Sequence, residues 1–168
     1  MRITRVVVAA AAALAFAVSL SGCSTSVAMQ AAPDANNPAC ADIIVRLPDR
    51  VGDLDRRETN AQSTGAWGSP PAVLLYCGVE VPSASTQRCI QVDGLYWLVD
   101  ASNEPSYVLR SFGREPAIDI VVDTQVTAAT PVLMSLSRVV SRTVPNGHAC
   151  TDLDDAQIID SDDGLVGG

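Results

Sequence analysis

The chain has 168 residues, with 11 Arg and no Lys, 19 acidic side chains, one His and five Cys, and a formal charge of −8. That length suits one domain with short extensions, and the negative balance argues against binding nucleic acid through its phosphates, which needs a positive field. Aromatic residues make up only 4%, so stacking surfaces for bases or sugars are scarce.

Residues 1–22 read as a lipoprotein signal peptide. Arg2 and Arg5 precede the uncharged apolar run Val6 to Leu20, which is short for a membrane span of about 20 residues. Leu20-Ser21-Gly22-Cys23 then matches the bacterial lipobox. In such signals the Cys thiol takes a diacylglyceryl group, and the chain is cut before it. Cleavage would remove two Arg and no acid, leaving a more acidic mature chain. The expected location is the outer face of the cell membrane, with Cys23 as the lipid anchor and the membrane as first partner. Two or more acyl chains hold a protein stably at a bilayer.

Residues 23–37 are polar and Ala-rich without periodicity, and read as a flexible tether. A single globular domain is expected over 38–150. Asn37-Pro38 has the form of an N-cap followed by Pro at the first helical position. Cys40, Ile43, Ile44 and Leu47 line one face of a short helix ending before Pro48. Asp49 to Asn60 is charged, and Val51 and Leu54 could seat it as an edge strand. Ala61 to Pro71 reads as a Gly, Ser and Pro loop, and Ala72 to Val79 as a strand.

Asp93-Gly94 suits a two-residue hairpin turn that needs positive φ twice, pairing Val92 with Leu95 and Ile90 with Trp97. Tyr107 to Phe112 and Ala117 to Val122 add two strands. In the second, Ile118, Ile120 and Val122 alternate with Asp119, Val121 and Asp123. A second helix starts at Thr130-Pro131, buries Val132, Leu133, Leu136, Val139 and Val140, and stops at Asn146-Gly147. Residues 151–168 carry six Asp and no base, and read as a disordered acidic tail. The expected class is α+β: an antiparallel sheet of four to five strands flanked by an N-terminal and a C-terminal helix, with two disulfides.

Cys40, Cys77, Cys89 and Cys150 form an even set outside the cytosol, which reads as two disulfides. Chain order suggests Cys77–Cys89 across adjacent strands and Cys40–Cys150 joining the ends. Zinc is disfavoured, because no Cys-x-x-Cys occurs and His148 is the sole imidazole. No Gly-x-Ser-x-Gly elbow accompanies His148, and Asp119 and Asp123 sit near the surface of their strand. The Asp160 to Gly164 run misses the calcium-loop spacing. No catalytic, cofactor or metal residues are therefore expected. Arg56, Arg57 and Arg114 are the candidate anion-binding residues, since guanidinium forks grip carboxylate or phosphate. Trp67 and Trp97 read as packing residues.

Three segments together carry a family resemblance: Ala66-Trp67-Gly68-Ser69-Pro70-Pro71 running into Tyr76-Cys77-Gly78, then Cys89 to Trp97, then Phe112-Gly113-Arg114-Glu115-Pro116. With Leu47-Pro48 and Arg56-Arg57 upstream, the chain resembles the actinobacterial domain-of-unknown-function family 3515 over roughly Cys40 to Cys150. Ser69 and Tyr76 stand where that resemblance implies Asp and Arg. It implies an exported or membrane-attached envelope protein and no assigned activity. The expected role is non-enzymatic binding or scaffolding of an envelope component. The alternative is a small-ligand carrier or sensor with a pocket between sheet and helices.

Overall fold

Alternating apolar residues, punctuated by Gly and Pro, fold into one broad sheet with two helices on it. The computed structural model describes residues 26–83 and 85–151. Helix α1 (Pro38–Ile44) comes first, then strands β1 (Arg50–Val51), β2 (Leu54–Arg57), β3 (Thr64–Trp67), β4 (Val73–Val79), β5 (Arg88–Val92), β6 (Leu95–Asn103), β7 (Ser106–Phe112), β8 (Arg114–Glu115) and β9 (Ala117–Asp123). Helix α2 (Ala129–Val140) and strand β10 (Val144–Pro145) follow. Eight strands form an antiparallel sheet in the order β1-β2-β3-β4-β9-β7-β6-β5, while β8 pairs with β10. The class is thus α+β, with two helices and two disulfides among the described residues, but the sheet has eight strands where four to five were expected.

The extra strands lie mainly in the stretch expected to be an edge strand and a loop. β1 and β2 make a short hairpin over Gly52, and β3 occupies the middle of the Gly-rich segment. All four residues of β3 are buried. Its small residues make room for Trp67: a Cβ on Gly65 would come within 3.0 Å of the Trp67 ring and 2.7 Å of Leu47. Trp67 is fully buried, and its indole N–H donates to the Pro48 carbonyl at 3.0 Å.

One face of the sheet carries the core. Val73, Leu75 and Cys77 of β4 are registered against Val122, Ile120 and Ile118 of β9, and all six are fully buried. Leu109, Trp97 and Ile90 extend this face across β7, β6 and β5. Helix α2 lays Val132, Leu133, Leu136, Val139 and Val140 on it, and α1 adds Cys40 and Ile43. Each such side chain contributes about 1.5–3 kcal/mol on burial. Helix α1 begins as expected, with the Asn37 side chain accepting from the Ala39 N–H and Pro38 at the first position. Helix α2 ends at Val140 rather than at Asn146-Gly147. Pro145 disfavours helical backbone at Val144, and the two form β10 instead.

The hairpin is formed as expected: Asp93 and Gly94 have φ of 49° and 75°, and Val92 pairs with Leu95 and Ile90 with Trp97. The Ser137 hydroxyl of α2 donates to the Asp93 carboxylate, fixing the turn against the helix.

The disulfide pairing corrects the expectation. Cys40 is bonded to Cys77 and Cys89 to Cys150. Cys77 and Cys89 are near in sequence, yet β9, β7 and β6 stand between their strands. Cys77 also faces the helices, whereas Cys89 is registered with Leu98 on the opposite face.

The expected tether is docked from Val27 onward. Val27 bridges to Thr59, donating to the Glu58 carbonyl and accepting from Asn60. Met29 donates to the Asn60 side chain, Asp34 donates to the Gly78 carbonyl, and buried Ala35 accepts from Ser63. Gly78 has φ of +89°, and a Cβ there would lie 2.3 Å from the Asp34 carbonyl oxygen. The signal peptide, Cys23 and the tail from residue 152 lie outside the described residues.

Candidate functional site

Among the described residues, the second face of the sheet carries no helix. Strand register places Thr64, Tyr76, Asp119, Arg110, Leu98 and Cys89 in one transverse row across it. At the centre, Arg110 Nε and Nη2 donate to the two Asp119 carboxylate oxygens, both at 2.7 Å. Asp119 is buried rather than near the surface, because that fork covers it. The carboxylate in turn holds Arg110 even more firmly protonated. Burial, and then the Asp119 charge, raise the Tyr76 phenol above its ordinary 10.0. Replacing Asp119 with Ala is expected to cost about 2 kcal/mol in a urea melt, below the ~3–5 kcal/mol of a fully buried pair, because the Arg110 side chain keeps 36% exposure.

At the β5 end of the row lies a cavity of about 470 Å³. Its floor is Leu98 and Phe112, both buried, beside the Cys89–Cys150 disulfide. Ser83, Ser85, Thr86, Gln87 and Arg88 line one side; His148, Ala149 and Thr151 line the other. The His148 ring packs on Phe112 with centroids 5.7 Å apart and a 33° tilt. The lining thus offers an apolar base under hydroxyl, amide, imidazole and guanidinium groups, and among the described residues it contains no carboxylate.

Two features hold the C-terminal wall in place. The disulfide fastens it to β5, and the Asn146 N–H donates to the Gly113 carbonyl. Gly113, with φ of +76°, lets the wall rest directly on β7: a Cβ there would sit 2.0 Å from the His148 carbonyl oxygen. Gly113→Ala should therefore lift residues 146–151 and lower stability by on the order of 2 kcal/mol. Hydrogen exchange should show lost protection in the wall while the β4–β9 ladder stays protected.

The three candidate arginines are used elsewhere: Arg56 and Arg57 stand on β2 and Arg114 on β8. Arg56 donates to the Leu47 and Ile44 carbonyls at 3.1 and 3.3 Å, closing the C-terminal end of α1. Arg114 does the same for α2, donating to the Ser141 and Thr143 carbonyls at 3.2 and 2.9 Å. Arg57 donates to the Gly68 carbonyl. None of them lines the cavity. Among the described residues, no three His, Cys, Asp or Glu side chains gather as metal donors.

Sequence reasoning missed both the Arg110–Asp119 pair and the cavity. A basic residue in the middle of Tyr107 to Phe112, opposite an acid in the middle of Ala117 to Val122, was the available signal for the pair. The cavity has no such signature, since its walls come from four separate segments.

Among curated proteins and among solved structures, nothing matches this chain. A family model described as a protein of unknown function, DUF3515, matches residues 3–149. The match spans both helices, every strand and three of the four disulfide cysteines, and so the chain belongs to the DUF3515 family.

Proposed function

We propose that this is an exported, lipid-anchored envelope protein that binds a small polar ligand without transforming it, at the cavity on the helix-free face. The carrying observation is the cavity itself. Its volume falls within the ~300–1,000 Å³ typical of small-molecule sites, and its lining combines an apolar floor with a few polar groups. The lining suits a neutral or anionic molecule with a flat or apolar part against Phe112 and Leu98, and hydrogen-bonding groups toward Ser85, Thr86, Gln87 and Arg88. The site lies on the sheet face opposite the helices, because the space between sheet and helices is filled by the core. A scaffolding role has less support: the large exposed apolar residues Val45, Val126, Met134 and Val144 belong to four separate segments, and single exposed apolar residues are ordinary.

The test is an isotope-labelled NMR titration with the small-molecule extract of the host envelope. Shifts confined to Leu98, Phe112 and His148, and lost in a cavity-filling Leu98→Trp variant, are the expected result. Perturbation only on the helix face, or none at all, would overturn the reading. A mass spectrum of the native N-terminus tests the anchor separately: an acylated Cys23 is expected, and a chain starting at unmodified Met1 would refute it.

A further inference from the structure

The docking of residues 27–35 changes what an anchor at Cys23 would do. Read as a free tether, residues 23–37 would let the domain range up to about 50 Å from the bilayer. The structure removes most of that freedom. Val27 is fixed by backbone hydrogen bonds of 2.8 and 3.2 Å to Glu58 and Asn60, and Met29 by a 2.7 Å bond to the Asn60 side chain. Only four chain steps separate Cys23 from Val27. Fully stretched they span at most about 14 Å.

We propose that the corner formed by Val27 and Glu58–Asn60 is a membrane-seating surface, held against the lipid headgroups by this short leash. The inference rests on the reading of Cys23 as the anchor. It adds an orientation, because the leash leaves from one edge of the sheet. Thr59 lies two residues beyond the end of β2, and β5 lies six strand spacings from β2 in the sheet order, or about 29 Å. The cavity at the β5 end therefore stands clear of the leash, and the domain presents it at a limited height above the bilayer. A ligand is met close to the membrane surface and not far out in the envelope space.

The test uses the mature chain from Cys23, coupled through that thiol to a maleimide phospholipid in vesicles that also contain lipids with nitroxide headgroups. A ketone-bearing residue replaces Glu58 in one sample and Gln91 in another, and each carries an oxime-linked fluorophore; both positions are exposed. The expected result is quenching about threefold stronger at 58 than at 91, given a reach of about 14 Å against a separation of about 29 Å. Inserting a Gly-Ser stretch of about 12 residues before Thr25, which adds about 40 Å of reach, should abolish the difference. Equal quenching at both positions without the insertion would overturn the proposal. Coupling is chemical, so that failure is distinct from failure of the anchor itself, which the native N-terminal mass spectrum reports.

Discussion

Serine at both Cys40 and Cys77 should lower the free energy of unfolding by about 4 kcal/mol, read as an earlier midpoint in urea. The bond closes a loop with a sequence separation of 37, and in the chain-entropy model cross-linking at that length removes about that much freedom from the unfolded chain. Both sulfurs are fully buried in the same apolar cluster as Ile43 and Leu75, so the serine hydroxyls also face a dry site. A domain stable by ~5–15 kcal/mol keeps only a narrow margin after such a loss. Helix α1 is the element most affected, since Cys40 bolts it to β4. A double variant with an unchanged midpoint would show that the packing of Ile43 and the Asn37 cap hold α1 without the bridge.

Trp67→Ala is the second large effect, at about 3–5 kcal/mol. The side chain is fully buried, sits in β3, and donates to Pro48 at the end of the α1 turn. Removing it opens a cavity against Leu47, Gly65 and Val73 and leaves a carbonyl without its donor. Trp67→Phe keeps most of the volume and loses the hydrogen bond. It should cost about 1–2 kcal/mol, within the ~1–3 kcal/mol of an unsatisfied buried acceptor. The gap between the two variants, measured by denaturant titration, separates packing from hydrogen bonding at this position.

Much of the fold was legible where local chemistry dictates one answer. Asp93-Gly94 supplies the positive φ values, and its register buries two apolar pairs at once. Asn37-Pro38 states a helix start with a cap and a ring that needs no donor. Strand β3 was illegible because Gly65 and Ala66, both depleted in strands, separate Thr64 from Trp67 within a Gly, Ser and Pro segment. It is a strand because Gly65 leaves space for Trp67, which is a tertiary fact. The disulfides were illegible for a related reason. The return strand β9 inserts beside β4 and carries the β5–β6 hairpin to the far edge, so chain order misleads about neighbours. Arg56, Arg57 and Arg114 carry forks that suit an anion, but Arg56 and Arg114 answer a demand inside the fold, the unsatisfied carbonyls at helix ends. Asp119 is visible as an acid in an apolar strand, but its partner follows only from β7 lying beside β9. The cavity was beyond reach, since its floor depends on which strands become neighbours.

The arginine clamps bear on how the protein meets alkali. A guanidinium keeps its proton at any pH a protein survives, so the ends of both helices stay fastened where lysine would let go. The ionisations that reach the fold first on that side are then phenolic. Tyr107 is raised above its ordinary 10.0 by burial and by its bond to Glu104, and Tyr76 by burial and the Asp119 charge. A phenol held neutral in the folded chain contributes fully below pH 10.0, and that contribution fades as the pH climbs past it. Alkaline unfolding, followed by tyrosinate absorbance, should therefore begin with the rings and spare the helix ends.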